Sequence, residues 1–125
     1  MLKDNRYYVR TAVSVPAILH ENRHHKEISC MVKDVSEKGI CFEIPADDSY
    51  SESLCAGESI HFQFIDTYQY GKEAETDVLS NDCTIRYVKM LGNLIRIGCY
   101  VSGEDFSRYA VRREVVSGLR RAATA

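Results

Sequence analysis

The sequence predicts a mostly β fold: a six-stranded antiparallel β-barrel with a flexible N-terminal arm and a C-terminal α-helix. Three observations lead to this prediction. Stretches along most of the chain alternate apolar and polar residues, as strands with one buried face do. Turn-like segments join them, without the strand–helix–strand alternation of parallel sheets. From Ser102 onward the apolar residues change to a helical spacing. Closing the strands into a barrel would remove exposed edges.

The first half of the chain contains three predicted strands. Residues 11–20 form the first, and Pro16 favours an edge position or a bulge because proline cannot donate a ladder hydrogen bond. The second and third cover residues 27–33 and 40–44, and they should pair antiparallel around the intervening polar stretch. Alternation places these residues on the core side of the pair: Ile28, Cys30, Val32, Ile40, Phe42 and Ile44.

The second half contains three further predicted strands, at residues 60–64, 82–90 and 94–101. Residues 66–77, between the first two of these, are polar and predict a long, mobile loop. Gly98 inside the last strand indicates a bulge, a bend or a close approach of another group. The expected core residues of the last two strands are Cys83, Ile85, Tyr87, Ile95, Ile97, Cys99 and Val101.

The final segment predicts a helix capped by Ser102, with Asp105 three residues later as in a capping box. Its apolar stripe comprises Phe106, Tyr109, Val116 and Leu119. Arginines crowd the rest of the helix, where they could form a solvated face or contact a partner or a phosphate. They are Arg108, Arg112, Arg113, Arg120 and Arg121.

Composition narrows the class of protein. A chain of 125 residues predicts one domain, and a net charge of −2 argues against general binding of nucleic acids. Its five cysteines form no CxxC pair. Four of them lie in apolar strand-like runs and are predicted to be reduced core residues: Cys30, Cys41, Cys83 and Cys99. The chain begins without an apolar signal region and contains no run as long as a membrane span. We therefore expect a cytoplasmic protein without membrane insertion.

Two polar motifs are the candidate binding residues. Arg6 and Arg10 are four residues apart, so they face the same side on a helix or on an extended chain. A guanidinium fork suits phosphate oxygens and the O6/N7 edge of guanine. The alternative is a pair of solvated arginines near a frayed terminus.

The second motif is Asp34-x-Ser36-x-x-Gly39, between the second and third predicted strands. A hairpin turn explains most such stretches, because Asp, Ser and Gly are turn residues. However, Asp34 and Ser36 are two apart and project to the same side of an extended chain. Gly39 beside them would let a ligand or an arm come close.

Other site chemistries have weaker support in the sequence. His20, His24 and His25 lie in or beside a polar loop, but no cysteine or carboxylate pattern completes a metal site, so a solvated loop is favoured. Asp34 and Ser36 have only His61 downstream, and no nucleophile–base pair is readable, so we do not expect an enzyme. A binder of single-stranded nucleic acid would need more aromatic and basic residues on one face.

Together, the order and spacing of the two motifs, the six predicted strands and the closing helix resemble the PilZ family, from Asn5 to about Leu119. The stretches 83–88 and 97–101 agree with this resemblance. In that family the two motifs are the halves of a site for the bacterial second messenger cyclic di-GMP. Asn5 stands where many members carry arginine, at a position linked to whether one or two ligand molecules bind. The resemblance implies these ligand-binding residues: Arg6, Arg10, Asp34, Ser36 and Gly39.

The resemblance also implies how the chain is organised and what it does. Residues 1–10 would be a ligand-binding arm and residues 11–121 a PilZ-like barrel domain with its helix. Ordering of the arm by cyclic di-GMP would signal to a downstream effector protein, in motility, exopolysaccharide or biofilm control. The alternative is a PilZ-like adaptor that acts mainly through protein contacts. No cofactor, metal or nucleic-acid partner is expected.

Overall fold

The computed structural model of the chain describes residues 9–46 and 54–124, with side chains up to residue 118. The predicted arm, including Asn5 and Arg6, therefore falls mostly outside the described residues. The elements are β1 (Thr11–Glu21), β2 (Lys26–Ser36), β3 (Gly39–Pro45), β4 (Ser59–Tyr70), β5 (Glu73–Leu91), β6 (Leu94–Val101) and the helix α1 (Glu104–Thr124).

The six strands form a closed antiparallel ring in the order β1-β2-β3-β6-β5-β4, with β4 pairing back onto β1. The prediction of six antiparallel strands followed by a C-terminal helix is confirmed. Pro16 lies just after a register irregularity in β1 and before β4 pairing begins at Ala17. Pro16 therefore lies at a position of β1 where pairing with β4 has not yet begun, so the N–H that proline lacks is not needed on that side.

Alternation along the strands builds the interior of the ring. The residues predicted to face inward on β2, β3 and β6 are buried, and so are Ile60, Phe62 and Phe64 of β4. The Phe62 ring is 5.7 Å from each of the rings of Phe42, Phe64 and Phe106. Such aromatic contacts stabilise beyond the area they bury, and here they join β3, β4 and the helix in the core.

Cys41 and Tyr87 depart from the predicted core. Cys41 is buried but stands outside the core cluster, because its neighbours Ile40 and Phe42 point inward and turn it to the outer face of the sheet. Tyr87 follows a register irregularity in β5 that sends its side chain to the outer face as well. All five cysteines are free thiols, and only Cys55 is exposed.

The prediction of a mobile loop at residues 66–77 is wrong, because β4 and β5 continue through it as a hairpin. Their register runs without a break from Ser59↔Thr84 to Tyr70↔Glu73, and Gly71 has a φ of 66° at the tip. Glycine at the first central position is what a tight hairpin turn requires. The polar residues that suggested a loop, Asp66 and Tyr68, instead alternate inward and are buried.

The helix covers one end of the ring. Pairing of β1 with β4 spans only residues 17–21, so the start of β1 and the end of β4 diverge, and α1 contacts β1, β2, β4 and β5 there. Phe106 and Tyr109 are fully buried, as predicted, and Val116 packs against the core. The helix begins at Glu104, so Gly103 precedes its first turn, not Ser102 as predicted.

Arginines on the helix hold the β4–β5 hairpin instead of facing only solvent. Arg112 Nη1 lies 3.1 Å from Asp77 Oδ1, and Arg113 Nε lies 3.5 Å from Asp66 Oδ2. Tyr109 donates a hydrogen bond of 2.7 Å to the same Asp66 carboxylate. These contacts explain why acidic residues are tolerated at the inner face of the hairpin. Among the described residues, no helix is long and apolar enough to cross a membrane.

Candidate ligand-binding groove

An open groove of about 880 Å³ lies on the outer face of β2, β3, β5 and β6. Strand alternation creates it, because every residue that faces the core leaves its neighbours facing outward. The groove is lined by residues from the chain before β1, from the β2–β3 hairpin and from β5 and β6. Its polar and aromatic lining comprises Arg10, Asp34, Ser36, Lys38, Arg86, Tyr87 and Tyr100.

The groove floor is a row of residues that sit opposite one another across four strands. Asp34 pairs with Cys41, Cys41 with Gly98, and Gly98 with Tyr87. Asp34 and Ser36 belong to β2, so the turn at this hairpin is confined to Glu37 and Lys38. The acidic and hydroxyl groups are therefore held on a paired strand and not on a loose connection.

Gly98 shapes the floor by making room for an aromatic ring. A Cβ at this position would lie 2.1 Å from Cε2 and 2.4 Å from Cζ of Tyr87. Of the three alternatives predicted for Gly98, a bulge, a bend or a close approach, the structure shows a close approach. The Tyr87 hydroxyl lies 3.9 Å from Cys41 Sγ, so the ring covers the thiol and explains why Cys41 is buried on the outer face.

Gly39 has no side chain, so the backbone forms the surface at this end of the groove. It pairs with Ser36 on one side and with Tyr100 on the other. A Cβ here would lie 3.2 Å from Ser36 Oγ and 3.5 Å from the Cys99 carbonyl oxygen. A larger residue would therefore press on the serine hydroxyl that faces the groove.

Asp34 is the acidic group of the groove, and its pKa depends on burial and on the charged residues around it. Burial raises the pKa of its carboxyl group, and the positive charges of Arg10 and Arg96 partly offset this effect. Arg96 is engaged by Glu43, with Nε 3.1 Å from Oε2. Burial likewise raises the pKa of the Cys41 thiol and of the Tyr87 phenol, which keeps both groups neutral. The groove thus combines one partly buried acceptor with cations at its edges, which suits a ligand that carries both anionic groups and N–H donors.

Four of the five predicted ligand-binding residues, Arg10, Asp34, Ser36 and Gly39, line this one groove. Arg6 lies outside the described residues. The site residues predicted from the sequence did not include Lys38, Arg86, Tyr87 or Tyr100. Tyr100 lies between the predicted core residues Cys99 and Val101, so strand alternation turns it outward. Within residues 9–46 and 54–124, no group of three or more His, Cys, Asp or Glu has the arrangement of a metal site.

The ring of strands and the groove define a small β domain with a candidate site for an anionic ligand. The sequence profile of the PilZ domain matches residues 4–113. The chain belongs to the PilZ domain family. A comparison with curated proteins finds no match.

Solved structures share the fold at low sequence identity. The PilZ domain of YcgR from Escherichia coli, determined with c-di-GMP, has a TM-score of 0.66 and 15% identity, and covers 96% of this chain and 95% of that chain. The Bacillus subtilis inhibitor of motility MotI/DgrA has a TM-score of 0.65 and 18% identity, covering 90% and 52%. The structure of YcgR from Escherichia coli in complex with c-di-GMP has a TM-score of 0.63 and 15% identity, and the match covers 97% of this chain and 48% of that chain. The chain thus spans about half the length of the latter two chains.

Proposed function

We propose that this protein is a receptor for cyclic di-GMP and binds it in the groove on β2, β3, β5 and β6. The observation that carries the proposal is the convergence of Arg10 with Asp34, Ser36 and Gly39, from distant parts of the sequence, on one groove of about 880 Å³. Membership of the PilZ domain family and the likeness to a YcgR domain determined with c-di-GMP support it.

The chemistry of the lining matches the chemistry of the ligand. Cyclic di-GMP presents two phosphates and two guanine bases. The Arg10 fork binds phosphate oxygens or a guanine O6/N7 edge, and Arg6 supplies a second fork. The Asp34 carboxylate accepts hydrogen bonds from the guanine N1–H and exocyclic amine. Ser36 bonds a base edge or a phosphate, and Gly39 keeps the surface low enough for the ligand to lie on it.

Energetics require the two halves of the site to act together. One bidentate contact contributes about 1–3 kcal/mol, whereas micromolar binding requires about 8 kcal/mol. Neither Arg10 nor Asp34 can supply that alone. Lys38 and Arg86 at the groove edges add attraction for the phosphates, and the neutral Tyr87 ring offers an apolar surface for a base.

The receptor signals by ordering the chain before β1 over the groove when the ligand arrives. Val9 and Arg10 lie outside any strand, while Asp34 and Gly39 lie in paired strands. Ligand contacts to both would fix the arm and change the surface offered to a downstream effector protein. Limited proteolysis tests this step: cleavage before Thr11 should slow when cyclic di-GMP is added, and an unchanged cleavage rate would contradict it.

The binding proposal is tested by calorimetric titration of cyclic di-GMP into the wild type, Arg10→Ala and Arg23→Ala. Arg23 is a matched control, because it pairs with Glu58 at 3.2 Å and does not line the groove. We expect Arg23→Ala to bind cyclic di-GMP like the wild type, and Arg10→Ala to bind it about 5- to 160-fold more weakly, the equivalent of one guanidinium contact of about 1–3 kcal/mol. Absence of binding heat and of a thermal shift in the wild type would refute the proposal and favour the adaptor function.

A further inference from the structure

A second polar cluster lies outside the groove, on the outer face of β1, β2, β4 and β5. Its members sit opposite one another in register: Glu27 pairs with His20, His20 with His61, and His61 with Asp82. The two imidazole rings have centroids 6.0 Å apart. The sequence grouped His20 with His24 and His25, but the structure brings it to His61, from a strand that begins far along the chain.

A carboxylate lies beside the same ring nitrogen of each imidazole, but only the one beside His61 is within hydrogen-bonding distance. His61 Nδ1 lies 2.8 Å from Asp82 Oδ1, and His20 Nδ1 lies 3.6 Å from Glu27 Oε2. Histidines that bind metals characteristically donate Nδ1–H to such a group, which leaves Nε2 as the ligand nitrogen. The row thus supplies two imidazoles, and one of them, His61, has the supporting carboxylate of a metal site.

The other ring nitrogens, the two Nε2 atoms, converge on one pair of side chains. His20 Nε2 is 3.0 Å from Gln63 Oε1, and His61 Nε2 is 2.7 Å from Ser80 Oγ. Gln63 and Ser80 are themselves in contact, with Nε2 3.4 Å from Oγ. The space that the two imidazoles share therefore already contains an amide oxygen and a hydroxyl oxygen.

We propose that His20 and His61 bind one divalent transition-metal ion of the Zn²⁺ or Ni²⁺ type through their Nε2 atoms. A tetrahedral ion about 2.1 Å from each nitrogen requires ring centres roughly 5 Å apart, compared with 6.0 Å here. The ion takes the place of the hydrogen bonds that the two Nε2 atoms make to Gln63 and Ser80, so His20 binds it with Nε2 deprotonated. Water and the oxygen of Gln63 or Ser80 complete the coordination. This two-imidazole site differs from a closed site of three or more strong ligands, which the described residues do not contain.

Charge and access favour the same ion. The carboxylates of Glu27 and Asp82, one at each end of the row, offset the two positive charges of the divalent ion. Side-chain exposure is 32% for His20 and 31% for His61, so an ion can enter from solvent. Imidazole nitrogen suits zinc, copper and nickel, whereas Mg²⁺ and Ca²⁺ prefer oxygen.

The test is calorimetric titration of Zn²⁺ and Ni²⁺ into the full chain without an affinity tag, comparing the wild type with His20→Gln, His61→Gln and His24→Gln. His24 is the matched control: its Nδ1 is 3.4 Å from Glu21 Oε2, but it lies outside the row. We expect either row substitution to weaken binding at least about tenfold, and the double variant to bind like the weaker single variant. His24→Gln should match the wild type.

A Co²⁺ spectrum identifies the ligand type independently. We expect visible bands without thiolate charge transfer, unchanged in Cys55→Ser, because Cys55 is the exposed thiol. Equal affinity of the wild type and both row variants, with circular dichroism showing that all are folded, would overturn the proposal. So would a thiolate band that disappears in Cys55→Ser.

Discussion

Gly98→Ala should distort the groove floor by a predictable steric overlap. The new Cβ would lie 2.1–2.4 Å from two Tyr87 ring atoms, where ordinary contacts are above 3.4 Å. Overpacking of this kind costs about 1–3 kcal/mol, and the low end applies because Tyr87 is only half-buried and can swing outward. We expect the urea midpoint, followed by circular dichroism, to fall by roughly 0.5–1 M.

The steric origin is tested in a Tyr87→Ala background. Without the ring, Gly98→Ala should become neutral or stabilising by about 0.5–1 kcal/mol, because alanine loses less backbone entropy in a strand. Gly118→Ala is the control: nothing lies within 4 Å of its Cβ, and helix propensity predicts stabilisation by about 0.5–1 kcal/mol. If Gly98→Ala destabilises equally with and without Tyr87, the overlap with this ring is not the cause.

Three further outcomes follow from buried polar groups and from binding linkage. Asp34→Asn should weaken cyclic di-GMP binding in calorimetry by about 5- to 160-fold, the equivalent of one lost contact of about 1–3 kcal/mol, without destabilising the ligand-free protein, because burial disfavours the native carboxylate. Since burial raises the Asp34 pKa, the folded state binds the extra proton, and wild-type stability relative to Asp34→Asn should fall as pH rises through the range between the ordinary and the raised pKa; a difference in urea midpoint that does not depend on pH would contradict this. Tyr109→Phe removes the hydrogen bond to Asp66 and should cost about 1.5–3 kcal/mol in urea unfolding, whereas the exposed Tyr70→Phe should cost little; equal effects would refute the argument. At a ligand concentration one hundred times the Kd, cyclic di-GMP should stabilise the wild type by about 2.7 kcal/mol, measurable as a thermal shift, and the shift should be smaller in Arg10→Ala.

The interior of the ring could be predicted from alternation alone, because burial of every second residue is a local pattern. Ile28, Phe42 and Ile97 are examples of residues whose burial needed no tertiary information. Tyr87 was predicted wrongly because a register irregularity between β5 and β6 shifts the alternation by one residue. No local signal in the sequence marks that irregularity, since it depends on how two strands pair.

The β4–β5 hairpin could not be predicted, because the groups that make it stable lie elsewhere in the chain. Asp66 and Tyr68 look like loop residues when no partner is known. In the structure they receive Tyr109 and Arg113 from the helix, with the Arg113 guanidinium 5.0 Å from the centre of the Tyr68 ring. From the sequence alone, inward-facing polar residues are predicted to form a loop, because their hydrogen-bond and charge partners on the helix are not known.

For the groove, spacing within each motif indicated which side chains share a face, but only strand register brings the motifs together. Asp34 and Ser36 were predicted to project to one side, and they do so on β2. That Arg86 and Tyr87 of β5 join them follows from the order of strands in the ring, where β6 separates β3 from β5. This order is a long-range property, and the sequence contains no signal for it.

One part of the groove is formed by paired strands and the other by the chain before β1, so substitutions in the two parts should affect ligand binding differently. Asp34, Cys41 and Gly98 belong to strands that are hydrogen-bonded on both sides, so this half of the groove is held in place by the ring before a ligand arrives. Arg10 precedes β1 and lies outside any strand. Under the proposed function, the ordering cost of binding therefore falls mainly on the chain before Thr11. Substitutions that restrict the backbone there should change ligand affinity while leaving the stability of the ligand-free ring almost unchanged.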